Sequence, residues 1–538
     1  MDVFATTLKR WEQVKSAFNV SEFDDDPEEL INRIKDACNS TAESTEFKLQ
    51  DAFENILTKL NSISPEERTP LVHEMLQKLA DANDKKKSHS EVFTKLEGAR
   101  LVIRKAFRKN PQPFLNMNSK FCEVSFGTGN FIQAMISVLM ETLRNPIAIQ
   151  SKKANAMTDE ELRCYILDNM IYGVELQSQF IPVALYILDP EHKKRDSQLH
   201  KHFKQGDSLL FDYVFNGEDM KGKFDLVFGN PPYNVIEATE RHKYKYSNES
   251  WVTTREAGAL HTYFIRLAYD LLKKNGMMLY VTRASVLVTD NVSDFREEVL
   301  KKLFDIQLVY IPQGGTLFEG AQTTGMGLMA VKKDPEDART PTTFIRFINE
   351  AEHECEYTIK DSDTRIPLLW NDHTIEIWNK LSELPNRFET YKGIGRDNTK
   401  NGKFKLLDSI GKGGKKDIIT TNFNNPSKRA NNKARRTDPK ILVSTGCTDA
   451  SGERLYWLEG LVKDSVGELE YTGNICAIVN KTSLDAIEKI LTDPVVTIYG
   501  SLFRTDRNVS SAHYRMLSYD YNSNIISKET REWAKKQL

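Results

Sequence analysis

The sequence predicts a doubly wound α/β domain at its centre, set between a helical preface and a more irregular α+β region, and three observations carry that expectation. From about residue 86 to 335, short apolar runs alternate with helix-patterned stretches, the pattern of an open sheet covered on both faces. One run, Lys120-Phe-Cys-Glu-Val-Ser-Phe-Gly-Thr-Gly-Asn-Phe131, passes through a Gly-x-Gly turn into a helix with the apolar face Phe131, Ile132, Met135, Ile136, Leu139 and Leu143. Another, Phe224-Asp-Leu-Val-Phe-Gly-Asn-Pro-Pro-Tyr233, ends in a polar amide, two prolines and an aromatic ring. Strands are expected at 121–126, 171–176, 226–228, 277–282, 306–311 and 327–331, with helices between them.

Before this core, residues 1–85 show helical spacing, as in Leu30, Ile31, Ile34 and again Phe53, Ile56, Leu57, Leu60, with Ser64-Pro65-Glu66-Glu67 as a helix start. The charge run from Asp24 to Glu29 reads as a solvated loop and helix entry. Asp36, Glu46 and Lys48 fit a loose nuclease pattern, but the helical periodicity around them opposes the strands that a nuclease core needs. After the core, residues 336–538 carry Gly-rich basic loops, strand-like runs at 440–444 and 474–479, and a helix at 484–491. No repeat and no Walker-type phosphate loop stands out.

Length and composition set the outer bounds. The chain has 538 residues, room for roughly two to four domains. Hydrophobic residues make up 40% and charged residues 28%, and no apolar run approaches the roughly 20 residues that cross a bilayer. The N-terminus lacks the basic start and apolar stretch of a signal peptide, so a cytoplasmic protein with no membrane association is expected. Cys38, Cys122, Cys164, Cys355, Cys447 and Cys476 lie far apart without a Cys-x-x-Cys pair, so they read as reduced, and no metal site is expected. The net charge of −2 hides a polarity: residues 1–80 hold 16 acidic against 9 basic residues, whereas 392–440 hold 14 basic against 4 acidic. Lys412, Lys415, Lys416, Lys428, Arg429, Lys433, Arg435 and Arg436 suit phosphate contacts on a duplex. A solvated basic face is the equal alternative.

Within the core, Gly127 and Gly129 let the backbone bend and approach a ligand, as side chains there would not; a plain tight turn would look the same. Ile171-Tyr-Gly-Val-Glu175 is an apolar strand ending in an acid that can accept two ribose hydroxyls, or simply face solvent. Asp207, in Gln205-Gly-Asp207, can bond an adenine amine or merely shape a turn. Asn230-Pro231-Pro232-Tyr233 decides between these readings, because ligands in open α/β sheets bind at the carboxyl edge of the strands. An exocyclic amine is a poor nucleophile, its lone pair being delocalised into the ring. The Asn230 side-chain oxygen and the Pro231 carbonyl can accept its two N–H groups and draw the nitrogen toward tetrahedral geometry. Tyr233 can stack on a base that has left the duplex, and the prolines fix the backbone.

Together these residues resemble the amino-methyltransferases of DNA. Their order, with the cofactor loop before Asn-Pro-Pro-Tyr and the recognition region last, is similar to the γ class of type II restriction-modification enzymes. Ser88-His-Ser-Glu91-Val-Phe-Thr94 resembles the Glu-Val-Phe-Thr-Pro box that opens such domains beside the methionine end of the cofactor. His261-Thr-Tyr-Phe264, Leu271 to Gly276 and Val281-Thr-Arg-Ala-Ser285 resemble the helix and strand that follow the motif. The resemblance implies a Rossmann-like S-adenosylmethionine-dependent methyltransferase domain with a doubly wound mixed sheet at 86–335, a helical region at 1–85 and an α+β target-recognition domain at 336–538. It implies transfer of a methyl group from S-adenosylmethionine to adenine N6 in double-stranded DNA, in a system whose restriction endonuclease is a separate chain.

By the same resemblance Asn230, Pro231, Pro232 and Tyr233 meet the target base. Thr94, Glu123, Gly127, Gly129, Glu175 and Asp207 surround the cofactor. Phe318 is a second aromatic wall, or equally a core phenylalanine. The chain departs from the family where Glu123-Val-Ser-Phe126 replaces Asp-Pro-Ala-Cys and where Lys95 replaces the proline after Thr94. Cytosine N4 is the close alternative target. An RNA or glutamine substrate, or a non-catalytic subunit of a restriction-modification complex, are the remaining ones.

Overall fold

The computed structural model describes most of residues 96–538. Outside it lie 1–95, 128, 177–183, 185–187, 189–198, 237–238, 254–258, 311–324, 334–340, 349–350, 393–403, 411–415, 422–437, 445–459, 468, 470, 472–474, 480–482 and 504–513. The helical preface expected at 1–85 thus falls outside the described residues.

A nine-stranded mixed sheet forms the centre. In chain order its strands are β1 (Phe121–Glu123), β2 (Ile171–Glu175), β3 (Phe203–Gln205), β4 (Phe224–Gly229), β5 (Leu272–Arg283), β6 (Phe304–Tyr310), β7 (Gly325–Lys332), β8 (Pro341–Ile348) and β9 (Ala351–Thr358). Across the sheet they run β3-β2-β1-β4-β5-β7-β6-β8-β9. β3, β2, β1, β4 and β5 are mutually parallel. β7 runs antiparallel to both β5 and β6. Every residue of β1, β2 and β4 is buried, which is why these strands read as unbroken apolar runs rather than as alternations.

Alternate residues still part to opposite faces. Phe121, Leu226, Phe228, Leu279 and Val281 enter one core, with Val102 and Ile103 of helix α1 (Leu96–Lys109) and Ile132 and Met135 of helix α2 (Asn130–Leu143). Cys122, Val227, Met278 and Tyr280 enter the other, with Tyr263 and Phe264 of helix α4 (Leu260–Leu271) and with Trp251 and Trp370. Between α2 and α4, helix α3 (Asp159–Asn169) starts at a capping box in which Thr158 and Glu161 each satisfy the other's backbone N–H.

The sheet continues past 335/336, the boundary expected between the catalytic and recognition regions. β8 pairs in parallel with β6, and β9 closes the edge as its antiparallel partner. β9 is rich in glutamates, and Glu352 and Glu354 pair with Lys105 and Lys109 of α1, so this exposed edge is charged rather than adhesive.

Farther along, β10 (Glu389–Lys392), β13 (Lys440–Ser444), β14 (Leu461–Asp464) and β15 (Ile475–Val479) form an antiparallel sheet ordered β10-β15-β13-β14, beside a hairpin of β11 (Phe404–Ile410) and β12 (Lys416–Thr421). Leu407, Ile410, Leu442, Val462 and Ala477 make a small core between sheet and hairpin. Ile441, Val443, Cys476 and Ile478, on the sheet's other face, join the main core. Helices α5 (Asp372–Ser382), α6 (Leu484–Leu491), α7 (Pro494–Ser501) and α8 (Lys528–Gln537) complete that join. Among the described residues no helix is long and apolar enough to cross a membrane.

Candidate active site

The strand order reverses between β1 and β4, and the crevice outside the carboxyl ends of strands at such a switch point is where ligands bind. Three chain segments meet there. After β1, the glycine turn starts α2 directly: Gly129 is the N-cap with φ of 82°, a left-handed value that favours glycine, and it has no side chain of its own to cap the helix. Glu123, only 2% exposed, sits below this helix start and takes the Ile132 N–H. Its other oxygen, Oε2, is buried without a hydrogen-bond partner among the described residues. Burial, then the Glu175 carboxylate, push its carboxyl well above the ordinary range.

From the end of β2, Glu175 reaches across and accepts the Gly127 N–H at 2.8 Å, so the acid expected at a ribose also fixes the glycine turn. Gly173 leaves room for Phe126 and Phe203, since a Cβ there would come within 2.7 and 2.9 Å of their rings. Beyond β3, Asp207 accepts its own Leu209 N–H at 3.0 Å and the Tyr244 hydroxyl. Leu176 and Leu210, next to these acids, are 57% and 53% exposed, an apolar pair that charge and glycine patterns did not reveal.

β4 delivers the third segment. Gly229 has φ of 136°, and a Cβ there would meet Glu123 Cγ at 3.1 Å, so the motif strand and Glu123 are in contact. Asn230 follows, half-buried. The Tyr233 hydroxyl donates to the Asn230 side-chain oxygen and also lies 3.2 Å from the Val281 carbonyl of β5. Ser125, from the glycine loop, donates to the Asn230 backbone carbonyl at 3.3 Å. The Leu260 N–H donates to Asn234 O at 2.8 Å, and Val235 bridges Ala259, pinning the start of α4 to the motif.

Tyr233 itself is 9% exposed. His261 meets it edge-on at 6.0 Å and the Arg283 guanidinium lies 5.3 Å from its ring centroid. Burial raises the Tyr233 hydroxyl above its usual range, against the pull of Arg283. Burial, then Arg283, pull His261 down to about 3, so its ring is neutral at physiological pH.

The structure therefore brings Glu123, Gly127, Gly129, Glu175, Asp207 and residues 230–233 to one edge of the sheet. Thr94, Phe318, Lys412, Lys415, Lys428, Arg429, Lys433, Arg435 and Arg436 lie outside the described residues, and Lys416 is exposed on β12. Sequence reasoning missed the site positions of Ser125, His261 and Arg283. The last two stood in segments read only as following elements.

The strand order with its reversed β7, and the glycine turn at the end of β1, define the fold of the class I S-adenosylmethionine-dependent methyltransferases, whose methyl donor is S-adenosylmethionine. Residues 141–318 match the model of the Eco57I restriction-modification methylase family. That stretch takes in Glu175, Asp207 and residues 230–233 and begins downstream of the glycine loop. The type II methyltransferase M.BstVI of Geobacillus stearothermophilus is 26% identical over 170 residues, 30% of this chain and 28% of that protein's length. Among solved structures, the type IIL restriction-modification enzyme MmeI in complex with DNA superposes with a TM-score of 0.50 at 11% identity, over 99% of this chain and 90% of that one. The DrdV–DNA complex gives 0.51 at 10% identity, over 98% and 66%. At these identities the likeness is one of fold.

Proposed function

We propose that this protein is a site-specific DNA methyltransferase acting on adenine N6, with the target base flipped out of the duplex. The observation that carries this reading is the Asn230 carboxamide, held at the end of β4 by the Tyr233 hydroxyl beside the Pro231 backbone. A carbonyl oxygen has two lone pairs. Tyr233 bonds to one and so orients the amide; in the reaction an exocyclic N–H would bond to the same oxygen, and the Pro231 carbonyl would take the second N–H. Both acceptors withdraw the amine's protons from the ring plane and restore its lone pair. The MmeI and DrdV structures are DNA complexes, and the DNA reading is drawn partly from them. A restriction endonuclease encoded separately is the partner this reading implies.

S-adenosylmethionine, when bound, supplies an electrophilic sulfonium methyl. The residues present fit it. The buried Glu123 Oε2, without a donor among the described residues, suits a cationic ligand, Gly129 has the left-handed backbone of a close-approach turn, and Leu176 and Leu210 offer apolar walls beside Glu175 and Asp207. Glu175 and Asp207 hold the ribose and adenine, and Glu123 the methionine end.

Two tests follow from this geometry. Tyr233→Phe is expected to cut the rate of methyl transfer about tenfold with little change in melting temperature, since one hydrogen bond is lost and nothing is left buried unpaired; an unchanged kcat would show that the hydroxyl does not orient Asn230. Because the Glu123 pKa is raised in the folded protein, its contribution to ligand-free stability is full below the ordinary carboxylate range and is lost as pH rises through the raised value. Binding of a cationic cofactor, by contrast, selects the ionised form. Calorimetric affinity for S-adenosylmethionine is thus expected to rise with pH from 5.5 to 8.5 in wild type and to stay flat in Glu123→Gln, and parallel curves would remove Glu123 from that role.

The reaction and its target are tested together by long-read modification sequencing of DNA from a methylation-free host expressing the chain. Methylated adenine at one short motif is expected. Methylated cytosine, or unmodified DNA with folded protein, would overturn the assignment.

A further inference from the structure

We propose that Arg283 grips the backbone phosphate of the target nucleotide, and that it lies over Tyr233 only until that nucleotide arrives. The inference rests on the DNA reading above and adds to it a residue that positions the substrate. Arg283 is the last residue of β5. Tyr280 of the same strand pairs with Gly229, so Arg283 stands three residues farther toward the carboxyl edge, where the Asn230 segment emerges.

Its surroundings do not account for its charge. Two other arginines of this layer have acids: Arg266 pairs with Glu249 and Asp270, and Arg365 with Asp290. Among the described residues no carboxylate pairs with Arg283, and its Nε is buried without a hydrogen-bond partner. The groups it touches are rings, Tyr233 at 5.3 Å and, beyond it, His261, and both are neutral at physiological pH. A guanidinium over a ring gains a modest attraction, but an unpaired buried donor works against it. An anionic oxygen at the rim would fill that donor and supply the missing charge, and the planar fork of arginine matches phosphate. When a base enters beside Asn230, its own phosphates come to this rim.

The test uses the full-length protein and a duplex carrying the motif found by modification sequencing. In separate duplexes, a neutral methylphosphonate replaces the phosphate on the 5′ or the 3′ side of the target adenine. Wild type is expected to bind one of the two about tenfold more weakly than the native duplex. Arg283→Met is expected to bind the native duplex about tenfold more weakly, to show no further loss on that methylphosphonate, and to have a salt slope of log Kd shallower by about 0.9, the value of one phosphate contact. Arg283→Lys should recover part of both losses. KM for DNA should change more than kcat.

Arg283→Met with wild-type affinity and salt slope would overturn the proposal. So would a methylphosphonate penalty of equal size in wild type and variant. If the wild-type protein neither binds nor methylates DNA in these assays, the DNA reading falls and this inference with it. If it methylates DNA while the two penalties add, only the role of Arg283 is lost. Neutralising the phosphate leaves the protein unaltered, so a folding defect in Arg283→Met cannot mimic the expected pattern.

Discussion

Asn230→Ala is expected to lower kcat for methyl transfer by about 10²–10³, the usual loss when one preorganised electrostatic partner of a reacting group is removed. Little stability should go with it. Asn230 is half-buried at the end of β4 rather than part of either core. The Tyr233 hydroxyl, deprived of the carboxamide, still has the Val281 carbonyl at 3.2 Å, so no buried donor is stranded. Glu123, Gly127 and Glu175, the groups proposed to hold the cofactor, are untouched. Calorimetric binding of S-adenosylmethionine should therefore stay near wild type while single-turnover transfer collapses. A variant that still transfers at more than a tenth of the wild-type rate would sink the role given to Asn230, and one that loses cofactor binding equally would show that the amide shapes the glycine turn instead.

How far such a site can be read from sequence depends on the range of the forces that build it. β1, β2 and β4 were legible because strands buried on both faces must be apolar throughout, a local property. The strand expected at 121–126 ends at Glu123 because the backbone must turn there to bring Gly129 to the helix start. β5 begins five residues earlier than the expected 277, since Leu272 pairs with Phe224 across a register shift while Lys273 to Asn275 stay exposed. A mixed sheet was expected from the resemblance, but that β7 is the strand inserted antiparallel between β5 and β6 was not legible from its residues, because an apolar run looks the same in either direction. β9 was missed for the opposite reason: an edge strand of alternating glutamates has no apolar signature. At the site, Asn230 and Tyr233 announced themselves through the prolines between them. Their mutual hydrogen bond, and the arrival of Arg283 over the ring, are products of the pairing between β4 and β5, which no short motif encodes.

Arg296→Met is expected to destabilise the fold by about 3–5 kcal/mol, the range seen when one member of a buried polar cluster is removed. Arg296 is 1% exposed, and burial, then Arg365, pull its pKa down to about 10, so it remains charged at neutral pH. Among the described residues no carboxylate hydrogen-bonds it. Its donors go to backbone carbonyls instead: Thr364 at 3.1 and 2.8 Å, Val286 at 3.2 Å and Thr289 at 2.6 Å. It thereby ties the turn that follows Arg283 to the segment after β9, a junction that the Ile366 N–H to Leu287 O bond at 2.9 Å and the Arg365–Asp290 pair also serve. Methionine fills similar volume but leaves three carbonyls without their donor, and each costs about 1–3 kcal/mol if nothing replaces it. Arg296→Lys keeps the charge but cannot span three acceptors with one ammonium, and an intermediate loss is expected. Urea unfolding of the three proteins measures this. Equal midpoints would mean that the carbonyls find other donors, whereas the expected ranking would mean that the rim carrying Arg283 is held in place by a charge from below.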